Sequence, residues 1–144
     1  MPRTPRIIGP ADATTLAGDE GFEFVLLPVE VWTRRVAVRV GCVEAETTRE
    51  LSDAYDVTIQ QARPGTFPRN PATDVLYRVT VELSDDVGTA YQPGGGHGPG
   101  WDGMTGIRWL VEHSFHPAPP PDARVLVVRA SVSGRETARL EFPL

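Results

Sequence analysis

Residues 75–91 read Val-Leu-Tyr-Arg-Val-Thr-Val-Glu-Leu-Ser-Asp-Asp-Val-Gly-Thr-Ala-Tyr, and this stretch decides the fold class. Apolar side chains recur at every second position from Val75 to Leu83, a period that is typical of a half-buried β-strand. We therefore predict a strand in which Val79 and Val81 are buried. The alternate positions should be exposed or lie at a rim, and they hold Arg78, Thr80 and Glu82.

The segment after this strand predicts a hairpin. Asp85-Asp86-Val87-Gly88 has the residues of a tight turn, because Asp can accept from the backbone ahead of it and Gly tolerates positive φ. Thr89, Ala90 and Tyr91 would then begin the return strand.

The same alternation recurs along the rest of the chain. Strands are predicted over 22–32, broken or bulged at Pro28, and over 35–43, where Cys42 lies in phase with valines. Further strands are predicted over 107–115 and 125–132, and Ala138, Leu140 and Phe142 form the last inward row. Seven or eight short strands with little helix predict an all-β, antiparallel two-sheet sandwich.

In strand number and length the chain resembles immunoglobulin-like β-sandwich domains. The resemblance rests on the pattern over most of the chain, and the paired cysteines of antibody domains are missing, since Cys42 is the single cysteine. A closed or jelly-roll-like barrel is the alternative architecture.

The segments between the strands give weaker signals. Thr47 and Glu50 fit a capping box, so we predict a short helix to about Tyr55 and then a strand at Val57-Thr58-Ile59. Residues 63–73, rich in Pro and Gly, are predicted as a loop. Residues 1–20 are predicted as a flexible lead-in to a single domain over 21–144.

Composition limits the function classes. A net charge of -5 argues against a duplex nucleic-acid binder, which needs a dense basic face. No apolar run is long enough for a signal peptide or a membrane span, so a cytoplasmic location is expected. All 14 basic residues are Arg, and Asn and Ile are scarce, which indicates a GC-rich bacterial genome.

The segment 92–106 is the most distinctive feature, with five glycines between Gln92 and Trp101. It lacks the Gly-Lys-Ser/Thr sequence of a nucleotide loop. Long loops on rigid sheets often carry function, and an aromatic side chain beside one is a natural anchor. We therefore predict a partner-binding role for a small set in this loop: Gly94, Gly95, Gly96, His97 and Trp101.

Catalytic and metal sites have less support. His113 and His116 would lie on opposite faces of one strand, and His113 is expected to be a core or rim residue with a backbone partner. A calcium site at Asp85, Asp86 and Asp102 would lack the helical calcium-loop spacing. Cys42 is expected to be inert packing. We predict no catalytic residue, no cofactor and no metal ligand.

These observations predict a non-catalytic module that binds another protein, with neither nucleic acid nor membrane as its partner. Self-association stays open. The alternative is a small metal-dependent binder or enzyme, using calcium or a His/carboxylate set, with its site at the 85–106 end.

Overall fold

The structure, a computed structural model, describes residues 6–8, 14–94 and 106–144. None of the helices in these ranges is long and apolar enough to cross a bilayer. The elements in chain order are β1 Arg6–Ile8, β2 Thr14–Thr15, β3 Phe24–Leu26, β4 Val29–Val31, β5 Val36–Val43, α1 Glu46–Gln61, α2 Pro71–Leu76, β6 Val79–Asp85, β7 Gln92–Pro93, β8 Ile107–His116, β9 Val125–Val132 and β10 Arg135–Pro143.

The first sheet is built around β5. One edge of β5 pairs with β8, and β8 pairs with the short β7. The other edge pairs with both β3 and β4, which are one strand interrupted at Leu27-Pro28, as the proline predicted. Beyond them lie β2 and β1, so Arg6–Ile8 is paired at the rim of this sheet.

The second sheet has the order β10-β9-β6, and all its pairs are antiparallel. A two-residue turn at Ser133-Gly134, with positive φ at both residues, joins β9 to β10 as predicted. The mainly β, two-sheet sandwich expected from the sequence is therefore confirmed, in place of a closed barrel. Breaks such as the one at Pro28 raise the number of strand segments above the seven or eight predicted.

The core lies between the two sheets and is closed at one end by α2. The first sheet contributes a row of valines from β5, with Cys42 in phase and fully buried as expected, and Trp109, Val111 and Phe115 from β8. The second sheet contributes the inward row of β9 and β10: Leu126, Val128, Ala130, Val132 and Phe142. The predicted phases of these strands are correct.

The predicted hairpin after β6 is wrong. The turn forms, but Thr89–Tyr91 do not pair with β6. Instead the chain crosses to the first sheet, where Gln92 and Pro93 pair with His116 and Phe115 of β8. The neighbour of β6 is β9, more than forty positions along the chain. Local turn chemistry therefore predicted the turn but not the partner strand.

The predicted start of the β6 strand is also wrong, because Val75 and Leu76 belong to α2. Asn70 caps this helix by accepting the N–H of Ala72, and Pro71 occupies its first turn, where no backbone donor is needed. Part of the loop predicted over 63–73 is thus helical. Val75 and Leu76 are both buried against the sheets and Tyr77 is exposed, whereas the predicted strand would have placed Val75 and Tyr77 on one face and Leu76 on the other.

Residues 46–61 form one helix, so the strand predicted at Val57-Thr58-Ile59 is wrong. The helix begins one residue after Ala45, whose N–H donates to the Thr48 hydroxyl, and Thr47 instead donates to the carbonyl of Gly21. The capping box therefore does not form at the predicted position. Val57 and Ile59 are exposed in this helix. Because no sheet buries these β-branched side chains, their strand propensity does not outweigh the helical hydrogen bonds.

Candidate functional site

A cavity of about 360 Å³ opens between the two sheets, on the side where β6 faces β8. We call this side of the molecule the open side. Side chains and backbone from four elements line the cavity, together with Tyr77 after α2: Thr73, Leu76, Tyr77, Val79, Thr80, Val81, Pro93, Gly94, Val111, Glu112, His113, Ser114 and Phe115. The apolar members continue the core outwards, so the cavity is an extension of the inner faces of the sheets.

His113 is the polar side chain of interest in this cavity. On β8, His113 is in phase with Val111 and Phe115, and it lies opposite Val38 of β5. Its position is therefore an inner one, as predicted. Its Nε2 atom is buried and, within the described residues, has no hydrogen-bond partner. Burial lowers the pKa of His113 below its usual 6.5, so the ring is neutral at neutral pH. A neutral ring nitrogen without a partner can bond a group that enters the cavity.

The other histidine of β8 points away from this site. His116 is exposed, and its Nδ1 atom lies 3.1 Å from the carbonyl oxygen of Arg34. The two histidines therefore cannot bind one ion together, in agreement with the strand argument.

β6 gives the open side a strand edge. Among the described residues β6 pairs only with β9. Ser133 donates its N–H to the carbonyl of Arg78 over 2.7 Å. In an antiparallel pair the backbone groups alternate in direction, so Arg78, Thr80 and Glu82 bond towards β9. The backbone groups of Val79, Val81 and Leu83 consequently point to the free edge.

Gly94, the one predicted partner-binding residue within the described ranges, lies at the rim of this cavity. It donates its N–H to the carbonyl of Ser114 over 2.7 Å, extending the pairing of β7 with β8. A Cβ atom at this position would come 2.5 Å from Cδ2 of the His116 ring, so a larger residue would displace that ring. The segment predicted as a loop from residue 92 thus begins with paired backbone. Gly95, Gly96, His97 and Trp101 lie outside the described residues.

Asp85 and Asp86 have structural partners. Asp85 accepts the N–H groups of Val87 and Thr89 and the hydroxyl of Tyr91, and Asp86 accepts the N–H groups of Arg124 and Val125. For Asp85, partial burial is outweighed by these hydrogen bonds, and its pKa is lowered; the two backbone donors lower the pKa of Asp86.

Both carboxylates therefore hold the crossing between the sheets together rather than facing a shared ion. In the described ranges, no three His, Cys, Asp or Glu side chains are grouped to hold a metal ion. Asp102 lies outside these ranges.

Cys42 is fully buried among the valines of β5. Burial raises the pKa of its thiol to about 12, so the reactive thiolate is scarce at neutral pH. It lies on the inner face between Phe24 and Trp109 of the neighbouring strands.

Sequence reasoning missed both parts of the open side. The cavity is lined in part by α2, for which the sequence pattern predicts loop and strand. The free edge exists because, in the part of the chain that the structure describes, β6 pairs with β9 alone. The alternation in residues 79–83 did identify the strand, but no local signal reports how many neighbours a strand has. Comparisons with protein-family models, with curated proteins and with solved structures gave no match for this chain.

Proposed function

We propose that this protein is a non-catalytic β-sandwich module that binds an extended segment of another protein at its open side. One observation carries the proposal: an apolar cavity and a strand edge without a described neighbour lie side by side. An extended peptide can pair with such an edge through its backbone and place a side chain in the adjoining cavity.

The cavity and the edge make different contributions to binding. The cavity offers apolar contact with Leu76, Val81 and Val111, and burial of apolar surface is the main source of affinity. His113 offers a hydrogen bond inside the cavity. The strand pattern also resembles immunoglobulin-like sandwiches, whose rigid scaffold commonly carries binding surfaces.

The test fills the cavity. Random dodecapeptides displayed on phage are selected on the immobilised protein, and the selected peptides are synthesised and titrated in solution. The Val81→Phe variant places an aromatic ring at a cavity-lining position, so these peptides should lose most of their affinity. Leu140→Phe is the matched control, because Leu140 is equally part-buried in the same sheet but lies on β10, away from the cavity and from the free edge of β6.

We expect the Leu140→Phe variant to bind the peptides as the wild type does. If selection enriches no peptide, or if Val81→Phe binds the selected peptides unchanged, the proposed function is wrong.

A further inference from the structure

We infer that the partner segment adds to the free edge of β6 as an antiparallel strand, and that it alternates basic and apolar residues. The inference rests on the proposed function and specifies the chemistry of its partner. It follows from the direction of the β6 backbone groups and from a row of charges that crosses the second sheet.

The backbone sets the register. Val79 is buried, but the part-buried Val81 and Leu83 direct their N–H and C=O groups to the free edge, so a partner strand would bond to these two residues. Partner residues opposite them lie on the same face as their side chains. That face packs on the core and on the cavity, so these partner residues should be apolar.

The other face carries the charges. Glu82, Arg129 and Arg139 lie side by side across β6, β9 and β10, with Glu82 in the edge position. A carboxylate oxygen of Glu82 lies 3.6 Å from Nη2 of Arg129, and 72% of the Glu82 side chain is exposed. A basic residue opposite Glu82 on an added strand would therefore place a second positive charge beside this carboxylate, on the side away from Arg129.

The charge of the whole chain supports this preference. Asp74 of α2 pairs with Arg69 and Asp86 after β6 accepts backbone N–H groups, while the chain as a whole carries a net charge of -5. Arg78, the one basic residue between them, is already paired with Asp19 and Glu20. The net negative charge of the chain favours Lys or Arg in the partner, and it disfavours a second copy of this acidic chain.

The probe is the acetylated and amidated heptapeptide Arg-Val-Arg-Val-Arg-Val-Arg, labelled with a fluorophore and titrated by anisotropy at low ionic strength. We expect saturable binding, and no binding of the same peptide with Glu in place of every Arg. Glu82→Arg should lower the affinity for the basic peptide about tenfold, because the attraction between Glu82 and the peptide Arg becomes a repulsion between two Arg side chains. Glu141→Arg is the matched control, since Glu141 has similar exposure and also pairs with an Arg of this sheet.

Backbone methylation tests the register separately. A methyl group on the amide nitrogen of the central Val removes a donor that would face β6, so binding should be lost. A methyl group on the amide of the adjacent Arg should be tolerated, because that amide points away from β6.

Each outcome bears on one claim. If phage-selected peptides bind in the cavity but show neither basic residues nor sensitivity to alternate methylation, strand addition is wrong and the proposed function stands. If the free protein sediments as a dimer that Glu82→Arg dissociates, the edge is occupied by a second copy and the inference is overturned. Equal affinity of Glu82→Arg and Glu141→Arg for the basic peptide also contradicts it.

Discussion

At the scale of single residues, burial decides the chemistry of the two groups that looked reactive in the sequence. Cys42 and His113 both lie on the inner face of the first sheet. For both, burial disfavours the charged form, and the pKa shifts in opposite directions because one group is an acid and the other a base. Phase within a strand was enough to predict both positions. The missing partner of His113 Nε2 could not be predicted, because it depends on the opposite sheet.

Cys42 should therefore react slowly while the protein is folded. With a thiol pKa of about 12, the thiolate fraction at pH 8 is very small, and the surrounding core blocks access. We expect slow labelling by a chromogenic disulfide reagent in native buffer and rapid labelling in denaturant. Rapid labelling of the native protein would show that the thiol is not held in the core.

His113 should make stability depend on pH. Its folded pKa lies below 6.5, so on acidification the unfolded chain takes up a proton before the folded protein does. Stability is therefore complete above about pH 6.5, decreases as the pH falls below that value, and levels off below the folded pKa. The measurement is the free energy of unfolding between pH 7.5 and 5.5.

His113→Gln should reduce this pH dependence, and His116→Gln, at an exposed position of the same strand, should retain it. Equal pH dependence in the wild type and in His113→Gln would mean that His113 does not titrate as the geometry requires.

At the scale of elements, alternation of side chains was a reliable guide where a strand is covered on one or both faces. β5, β8 and β9 follow their predicted phases because the inner face of each is buried. Two stretches with β-branched or alternating residues became helix instead. In α2 the Asn70-Pro71 cap starts a helix that buries Val75 and Leu76. In α1 the β-branched Val57 and Ile59 are exposed to solvent. Alternation or β-branching over a few residues therefore does not exclude a helix.

The register of β6 predicts an ordered series of aspartate variants. Val79 is 2% exposed, Val81 is part-buried rather than buried as predicted, and Thr80 is exposed. Val79→Asp should cost more than about 4 kcal/mol, since it places an unpaired charge in the core. Val81→Asp should be intermediate, and Thr80→Asp should change stability by less than about 1 kcal/mol. Denaturant titration measures all three, and a larger loss at Thr80 than at Val79 would invert the assigned register.

At the scale of the whole molecule, the open side depends on how the two sheets meet. The crossing after β6 is held by Asp85 and Asp86, and it leads the chain to β8 instead of back along β6. In the described part of the chain, this route leaves β6 with one neighbour and the cavity beside it. The sequence predicted the two-sheet sandwich, but the open side depends on long-range pairing and was not predictable from local pattern.

Amide hydrogen exchange along β6 tests this account most directly. In the free protein we expect slow exchange at Thr80 and Glu82, which bond to β9, and fast exchange at Val81 and Leu83, which face the edge. Saturation with the Arg-Val heptapeptide should slow Val81 and Leu83 and leave Thr80 and Glu82 unchanged. Slow exchange at Val81 in the free protein, or no change at Val81 with the peptide at saturating concentration, would contradict the account.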